Sequence, residues 1–149
     1  SWVAKVTKAG STKVFPWNSP SYPPPFVSGN YADESAKSML PFTISNYNDS
    51  FPVSASVGSF RPNEKGIFNL SGNVAEWVND FYEIRVNKSE PLVDYRGPNT
   101  GNRHVIRGAS WALGSRSELR LSYREPGNNG KIDVGFRIAR YVDKPKGDL

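Results

Sequence analysis

A glycine-rich loop runs into a strand at residues 66–77, which read Gly66-Ile67-Phe68-Asn69-Leu70-Ser71-Gly72-Asn73-Val74-Ala75-Glu76-Trp77. From Val74 to Val78, alternate side chains would point to opposite faces, which is the two-residue period of a strand. Gly72 lies just before this run, and glycine accepts backbone conformations that other residues avoid. The stretch therefore predicts a tight turn that leads into one strand of a sheet.

The composition of the 149 residues is typical of one loop-rich domain. Hydrophobic residues make up 37% and aromatic residues 13%, which is enough to build a core largely from rings. The 13 glycines and 12 prolines disfavour long helices and favour short strands joined by turns. A short helix is predicted over Trp2–Lys8, and the tail at residues 144–149 is expected to fray.

Residue usage also excludes several function classes. The chain has no cysteine, so disulfides, thiolate nucleophiles and sulfur-ligated metals are absent from it. Its 19 Lys and Arg residues are scattered among 14 acidic ones, which argues against a nucleic-acid partner, although the net charge of +5 leaves a polyanion-binding domain as an alternative. No apolar run approaches the about 20 residues that cross a bilayer, so no membrane segment is expected.

Two long segments should lack regular structure. Residues 15–25 combine rings with prolines and predict an ordered extended loop, or alternatively a linker for a proline-recognising module. Residues 29–60 are polar and rich in turns. A stretch of this length is uncommon inside a domain unless something other than backbone ladders holds it, and a bound cation is one candidate.

Three further apolar segments predict strands at residues 104–111, 119–123 and 134–141. Residues 125–130, with Pro126, Gly127 and Gly130, separate the last two segments. Because such a loop suits a reversal of the chain, residues 119–123 are predicted to pair with residues 134–141 as a hairpin.

The motifs of this chain resemble those of the formylglycine-generating enzyme, or sulfatase-modifying factor, family. The resemblance rests on residues 66–77 together with Arg107-Gly108-Ala109-Ser110-Trp111, Asp133-Val134-Gly135-Phe136-Arg137, Phe15-Pro16-Trp17 and Gly29-Asn30-Tyr31-Ala32. It implies an irregular, loop-rich α+β fold of the C-type-lectin-like kind with little helix. Because family domains are longer, residues 1–149 are expected to be one N-terminally truncated domain, its C-terminal half.

The resemblance also implies one or two structural Ca²⁺ sites. Calcium takes six to eight oxygen ligands and mixes carboxylates with amide and backbone carbonyls. The matching positions form two sets, called here the Glu76 group (Asn69, Gly72, Val74, Glu76) and the Asp49 group (Asn30, Tyr31, Asp49, Phe51). The alternative for Glu76 is an ion pair with an arginine.

Arginines supply a third set of candidate residues. Arg107, Arg120 and Arg137 are expected either to face solvent or to form forks to Glu76, Asp80 or Asp133, because a guanidinium satisfies a carboxylate bidentately. In the second case these residues would fix the fold and would not bind a substrate.

The resemblance further implies that the family's oxidase chemistry is absent. Leu113 and Glu118 stand where the copper-binding cysteines of the family would be, and only Ser110 is retained nearby. The expected function is a non-catalytic, calcium-stabilised binding or scaffold domain. Its partner would be a protein or peptide ligand, or the N-terminal half of the same domain. The alternative is a non-haem-iron oxidoreductase whose metal comes from a missing N-terminal part or a partner.

Overall fold

The computed structural model describes residues 13–17, 19–25, 28–84 and 97–139. Regular elements there are one 3-10 turn and four strands, which are Glu34–Ala36, β1 (Ala75–Phe81), β2 (His104–Arg107), β3 (Arg124–Gly127) and β4 (Val134–Phe136). The prediction of short strands with little helix is confirmed. The helix predicted at Trp2–Lys8 and the tail at residues 144–149 lie outside the described residues. Within the described ranges, no helix has the length and apolarity needed to span a bilayer.

The four strands form one mixed sheet in the order β3-β2-β1-β4. Strand β1 is central and is the strand that the glycine-rich loop introduces. It pairs antiparallel with β2, where Trp77 faces Ile106, and parallel with β4, where Trp77 faces Phe136. Strand β2 pairs antiparallel with β3. The loop before β1 thus delivers its residues to the middle of the sheet.

The predicted hairpin between residues 119–123 and 134–141 is wrong. Residues 119–123 form turns, in which the Leu119 N–H donates to the Ser115 carbonyl at 3.1 Å and the Tyr123 N–H donates to the Arg120 carbonyl at 2.9 Å. Strand β3 (Arg124–Gly127) overlaps the predicted loop at residues 125–127 and lies at the opposite edge of the sheet from β4. The alternation of apolar and polar residues at 119–123 is typical of a strand, but here a turn buries Leu119 and Leu121.

The main apolar cluster lies outside the sheet and is built largely from rings. Phe15 and Trp17 stack with their ring centroids 4.7 Å apart, and Trp17 meets Tyr31 edge-on at 6.1 Å. The full cluster comprises Phe15, Trp17, Tyr31, Ile44, Tyr47, Ala109 and Leu119. The proline-rich segment is therefore packed into the domain, as expected for an ordered loop.

Residues 29–60 contain no strand, and their backbone groups find other partners. The Ile44 N–H donates to the Ala32 carbonyl at 2.7 Å, and the Glu34 N–H donates to the Tyr47 carbonyl at 3.0 Å. Several other N–H groups donate to side-chain oxygens of Asp33 and Asp49. Because buried backbone groups need partners, these acidic side chains take the place of a ladder and organise the segment.

Candidate functional site

The Asp49 group converges in the structure. Asp49 is only 7% exposed, and its two carboxylate oxygens accept from two backbone N–H groups. Oδ2 accepts from Tyr31 at 2.9 Å and Oδ1 accepts from Phe51 at 3.0 Å. Three of the four predicted ligand positions are thereby joined through one buried carboxylate.

Asn30, the fourth member of the Asp49 group, carries an unpaired buried oxygen. The residue is fully buried, and its Nδ2 donates to the Val53 carbonyl at 2.8 Å and to Asn73 Oδ1 at 3.3 Å. Two acceptors on the same atom establish which end of the amide is nitrogen. Asn30 Oδ1 has no hydrogen-bond partner among the described residues. An orphaned buried oxygen is costly and suits a cation ligand.

The electrostatics of Asp49 indicate the same need for positive charge. Burial raises the pKa of Asp49 to about 6, the N–H groups of Tyr31 and Phe51 oppose that rise, and the charge of Asp33 adds to it. Asp33 is fully buried and accepts from the Asp49 N–H. Burial and the Asp33 charge both disfavour ionised Asp49, so a bound cation would lower the cost of ionising it.

The donor set at the Asp49 group fits calcium better than a transition metal. The predicted ligands are a carboxylate, an amide oxygen and backbone carbonyls, which are hard oxygen ligands. Among the described residues, no cluster of three or more His, Cys, Asp or Glu side chains is placed to hold a metal. A cation at this group would therefore depend on Asn30 and on main-chain oxygens as much as on Asp49.

The Glu76 group already holds a positive charge. Arg137 forks onto the Glu76 carboxylate, with Nη2 to Oε1 at 2.7 Å, Nε to Oε1 at 3.1 Å and Nε to Oε2 at 3.2 Å. The same guanidinium donates to the carbonyls of Phe68 and Asn69 at 3.0 and 3.1 Å. The hydrogen bond to Glu76 raises the pKa of Arg137. In this arrangement the carboxylate fits a guanidinium, and calcium would have to displace it.

The other members of the Glu76 group line one cleft beside this ion pair. Asn69, Gly72 and Val74 share that cleft with Arg137. Gly72 has a positive φ of 83°, and a Cβ there would lie 2.8 Å from the Asn30 carbonyl oxygen. Glycine is therefore required twice over, by conformation and by space. The loop of the Glu76 group thus packs directly on a member of the Asp49 group.

An apolar rim borders the same cleft. Val57, Phe68 and Phe136 line it and are 87%, 41% and 75% exposed. Exposed apolar side chains grouped at a cleft are typical of interaction surfaces.

Ser110 is buried, and its hydroxyl forms hydrogen bonds within the domain. It has no exposed surface, and its Oγ donates to Asp133 Oδ2 at 2.6 Å. The Ala112 N–H donates back to the same hydroxyl at 3.3 Å. This hydroxyl therefore connects two loops inside the domain.

Leu113 and Glu118, which the resemblance aligns with the family's cysteines, have structural contacts. Leu113 packs against the aromatic cluster, and its carbonyl accepts from the Ala32 N–H at 3.1 Å. Glu118 Oε2 accepts from the Ser115 N–H at 2.9 Å, while the Glu118 N–H donates to Ser115 Oγ at 3.4 Å. This reciprocal pair is a capping box. The spacing Ser115-x-x-Glu118 could have predicted it from the sequence.

The remaining two arginines do not form the expected carboxylate forks. Arg107 donates to the carbonyls of Leu121, Ser122 and Tyr123, at 2.9, 3.4 and 3.0 Å. Burial lowers its pKa, with the charge of Arg124 acting in the same direction. Arg120 is exposed, and no carboxylate of the described residues pairs with it. The tight turn at residues 121–123 presents three carbonyls to Arg107, so this cation binds backbone.

Two residues of the site were missed by sequence reasoning. Asp33 organises Asp49, and its side chain also accepts from the Ser35 N–H at 3.0 Å as the cap of the 3-10 turn. The pattern Asp33-Glu34-Ser35 is a recognisable cap signal. Asn73 holds Asn30, and a buried asparagine with φ of 69° after a glycine carries no comparable signal in the sequence.

Comparisons with known proteins agree with this architecture. The model of the sulfatase-modifying factor enzyme 1-like domain family matches residues 4–142. The formylglycine-generating enzyme of Streptomyces coelicolor is 33% identical over 110 residues, which cover 70% of this chain and 34% of that enzyme. The inactive C-alpha-formylglycine-generating enzyme 2 of Mus musculus is 32% identical over 108 residues, covering 68% and 30%.

Among solved structures, Treponema denticola variable protein 1 superposes with a TM-score of 0.50 and 31% identity. The similarity covers 56% of this chain and 31% of that one. The matched part of the chain covers about a third of the length of the Streptomyces enzyme.

Proposed function

The chain belongs to the family of sulfatase-modifying factor enzyme 1-like domains, and we propose that it is a non-catalytic member, a calcium-stabilised binding or scaffold domain. Its loop-rich α+β architecture is the C-type-lectin-like fold of the formylglycine-generating-enzyme type. The observation that carries the proposal is the Asp49 group, where a buried carboxylate and an orphaned amide oxygen lie in the part of the chain that lacks strands.

The contacts at the cysteine positions support the non-catalytic part of the proposal. Without thiolates the chain cannot hold Cu(I) as the family's oxidases do. Leu113 and Glu118 contribute instead to the core and to a capping box. Ser110, the retained neighbour, is buried against Asp133.

Calcium at the Asp49 group would supply positive charge and oxygen coordination, and no redox chemistry. Asp49 and the amide oxygen of Asn30 would be its side-chain ligands. The main-chain oxygens of Tyr31 and Phe51 would be its backbone ligands. A second ion at the Glu76 group stays a prediction, because Arg137 now neutralises that carboxylate.

The test combines calorimetry with an activity assay on the purified chain. Calcium at 100 times its Kd should stabilise the fold by about 2.7 kcal/mol over chelator. Oxygen consumption with cysteine-containing peptides and added copper should stay at background. Melting curves that coincide in calcium and chelator would refute the calcium part, and peptide oxidation would refute the non-catalytic part. Redox-active iron in a longer polypeptide would instead favour an oxidoreductase.

The apolar rim of Val57, Phe68 and Phe136 supports a polypeptide partner. We propose that this rim binds the N-terminal half of a family domain, because the matched part covers only 34% and 30% of the two relatives. Substitution of Phe136 by Ser should abolish association with such a segment supplied in trans. If association persists, or if only unrelated apolar peptides bind, this occupant is wrong.

A second candidate function, polyanion binding, is favoured by one cleft. Arg116 and Arg120 are both exposed and line it together with Ser117. They stand four residues apart, and no carboxylate of the described residues pairs with either. A polyanion would bind with steep salt dependence. Heparin affinity that falls with salt and is lost in the Arg116→Gln/Arg120→Gln variant would support it, and the absence of binding at low salt would exclude it.

A further inference from the structure

Asn73 uses every polar group that it has, although it belongs to neither predicted ligand set. Its N–H donates to the Asn30 carbonyl at 2.8 Å, and its carbonyl accepts from the Trp111 N–H at 2.9 Å. Its side chain accepts from the Ala55 N–H at 2.7 Å and donates to the Ala55 carbonyl at 3.1 Å. The residue is 6% exposed and has a φ of 69°, which an asparagine tolerates better than most residues.

The same side chain determines how the Asn30 amide is oriented. Asn73 Oδ1 accepts from Asn30 Nδ2 at 3.3 Å, and the Val53 carbonyl accepts from the same nitrogen at 2.8 Å. With its nitrogen held by two acceptors, the amide cannot turn over without opposing oxygen to oxygen. The orphaned Asn30 Oδ1 is therefore oriented by Asn73.

We propose that Asn73 is the positioning residue of the Asp49 group: it orients the Asn30 amide so that its oxygen serves as a calcium ligand. The inference rests on the proposed calcium site. Asn73 also binds the Trp111 N–H, so the main chain beside Ser110 is joined to the cation site through one residue. Partners that orient metal ligands are worth about 10- to 100-fold in metal affinity.

The test measures calcium affinity by titration calorimetry and, separately, the melting temperature in chelator. Asn73→Gly keeps both backbone hydrogen bonds and suits the positive φ, and it removes only the amide. It should weaken calcium binding about tenfold or more. Asn46→Gly is the matched control, because Asn46 also has a positive φ but lies exposed in another turn. Its calcium affinity should equal that of the wild type.

A double-variant cycle separates positioning from a general loss of structure. In an Asn30→Ala background, Asn73→Gly should cause no further loss of calcium affinity, because the ligand that it orients is gone. Losses that add, or an Asn73→Gly chain that melts earlier but binds calcium normally, would overturn the inference. A wild-type chain without saturable calcium binding would overturn the proposed function as well.

Discussion

At the scale of the residue, Asp49 is the carboxylate ligand of the proposed calcium site. Asp49→Asn removes the charge and sets an amide N–H against one of the two backbone donors that the carboxylate now satisfies. In chelator, the lost acceptor destabilises the variant while removal of the buried charge stabilises it, so the calcium-dependent increment is the diagnostic quantity. The variant should lose the whole calcium-dependent increment, so that its melting curves in calcium and chelator coincide. A calcium shift equal to that of the wild type would show that the ion binds elsewhere.

Glu76 should respond differently, because its partner is an arginine. Glu76→Gln leaves the half-exposed Arg137 without its carboxylate, so stability should fall by about 1 kcal/mol or less, since exposed pairs contribute modestly. The loss should be equal in calcium and in chelator. Differential scanning calorimetry under both conditions checks this result. A loss seen only in calcium would instead restore the predicted second site.

The Asp49 group was predicted from the family resemblance, and one of its contacts is also local in the sequence. Asp49 and Phe51 stand two apart, so the carboxylate reaches the following N–H as an Asx turn does. The role of Asn73 depends on contact with Asn30, 43 residues away. No local pattern encodes such a contact, and it was therefore missed.

At the scale of the element, the Arg107 side chain extends from β2 and clamps the turn at residues 121–123. A lysine cannot bridge the three carbonyls that this guanidinium binds. Arg107→Lys should cost about 1–3 kcal/mol. The exposed Arg120 offers the matched control, and Arg120→Lys should change stability by less than about 0.5 kcal/mol. Chemical denaturation measures both, and equal effects would contradict the clamp.

Strand β3 contains Gly127, which leaves room for the side chains of Ile106 on β2 and Trp77 on β1. A Cβ on Gly127 would lie 2.5 Å from Ile106 Cδ1 and 2.6 Å from Trp77 Cη2. Gly127→Ala should therefore cost about 1–3 kcal/mol through overpacking. Gly130→Ala, where nothing lies within 4 Å, should stay within about 0.5 kcal/mol of wild type. Urea denaturation of both variants is the measurement, and comparable midpoints would refute the packing argument.

Strand β1 could be predicted and the hairpin could not, for one physical reason. In β1 the alternating pattern follows a loop whose glycines suit a turn, so local and global signals agree. Leu119 and Leu121 show the same two-residue spacing, but a capping box at Ser115 and the clamp from Arg107 fold that segment into turns. These contacts are tertiary or easily overlooked, and alternation alone cannot reveal them.

At the scale of the whole molecule, the proposed calcium site and the segment at residues 110–113 are connected through backbone hydrogen bonds. The Ala32 N–H, next to Tyr31, donates to the Leu113 carbonyl, and Trp111 donates to Asn73. Both bonds link the segment at residues 110–113 to neighbours of the Asp49 group, because Ala32 follows Tyr31 in the chain and Asn73 contacts Asn30. Ordering one should order the other, so hydrogen exchange of the Ala32 and Trp111 amides should slow on calcium binding. Unchanged exchange at both amides would show that the two regions open independently.

The pH dependence of the whole domain should depend on whether calcium is bound. Burial raises the pKa of Asp49 from 3.8 to about 6. In chelator, protonated Asp49 stabilises the fold fully below pH 3.8, and this contribution of about 3 kcal/mol is lost as pH rises through 6. Calcium needs the ionised form, so its affinity should fall about tenfold per pH unit below 6.

The difference in melting temperature between calcium and chelator isolates this effect, because the other carboxylates titrate in both conditions. We expect that difference to be largest near pH 7 and to vanish toward pH 4.5, with its midpoint near the pKa of Asp49. Asp49→Asn should show no difference at any pH. A calcium increment that persists unchanged at pH 4.5 would mean that the ion does not compete with a proton on Asp49.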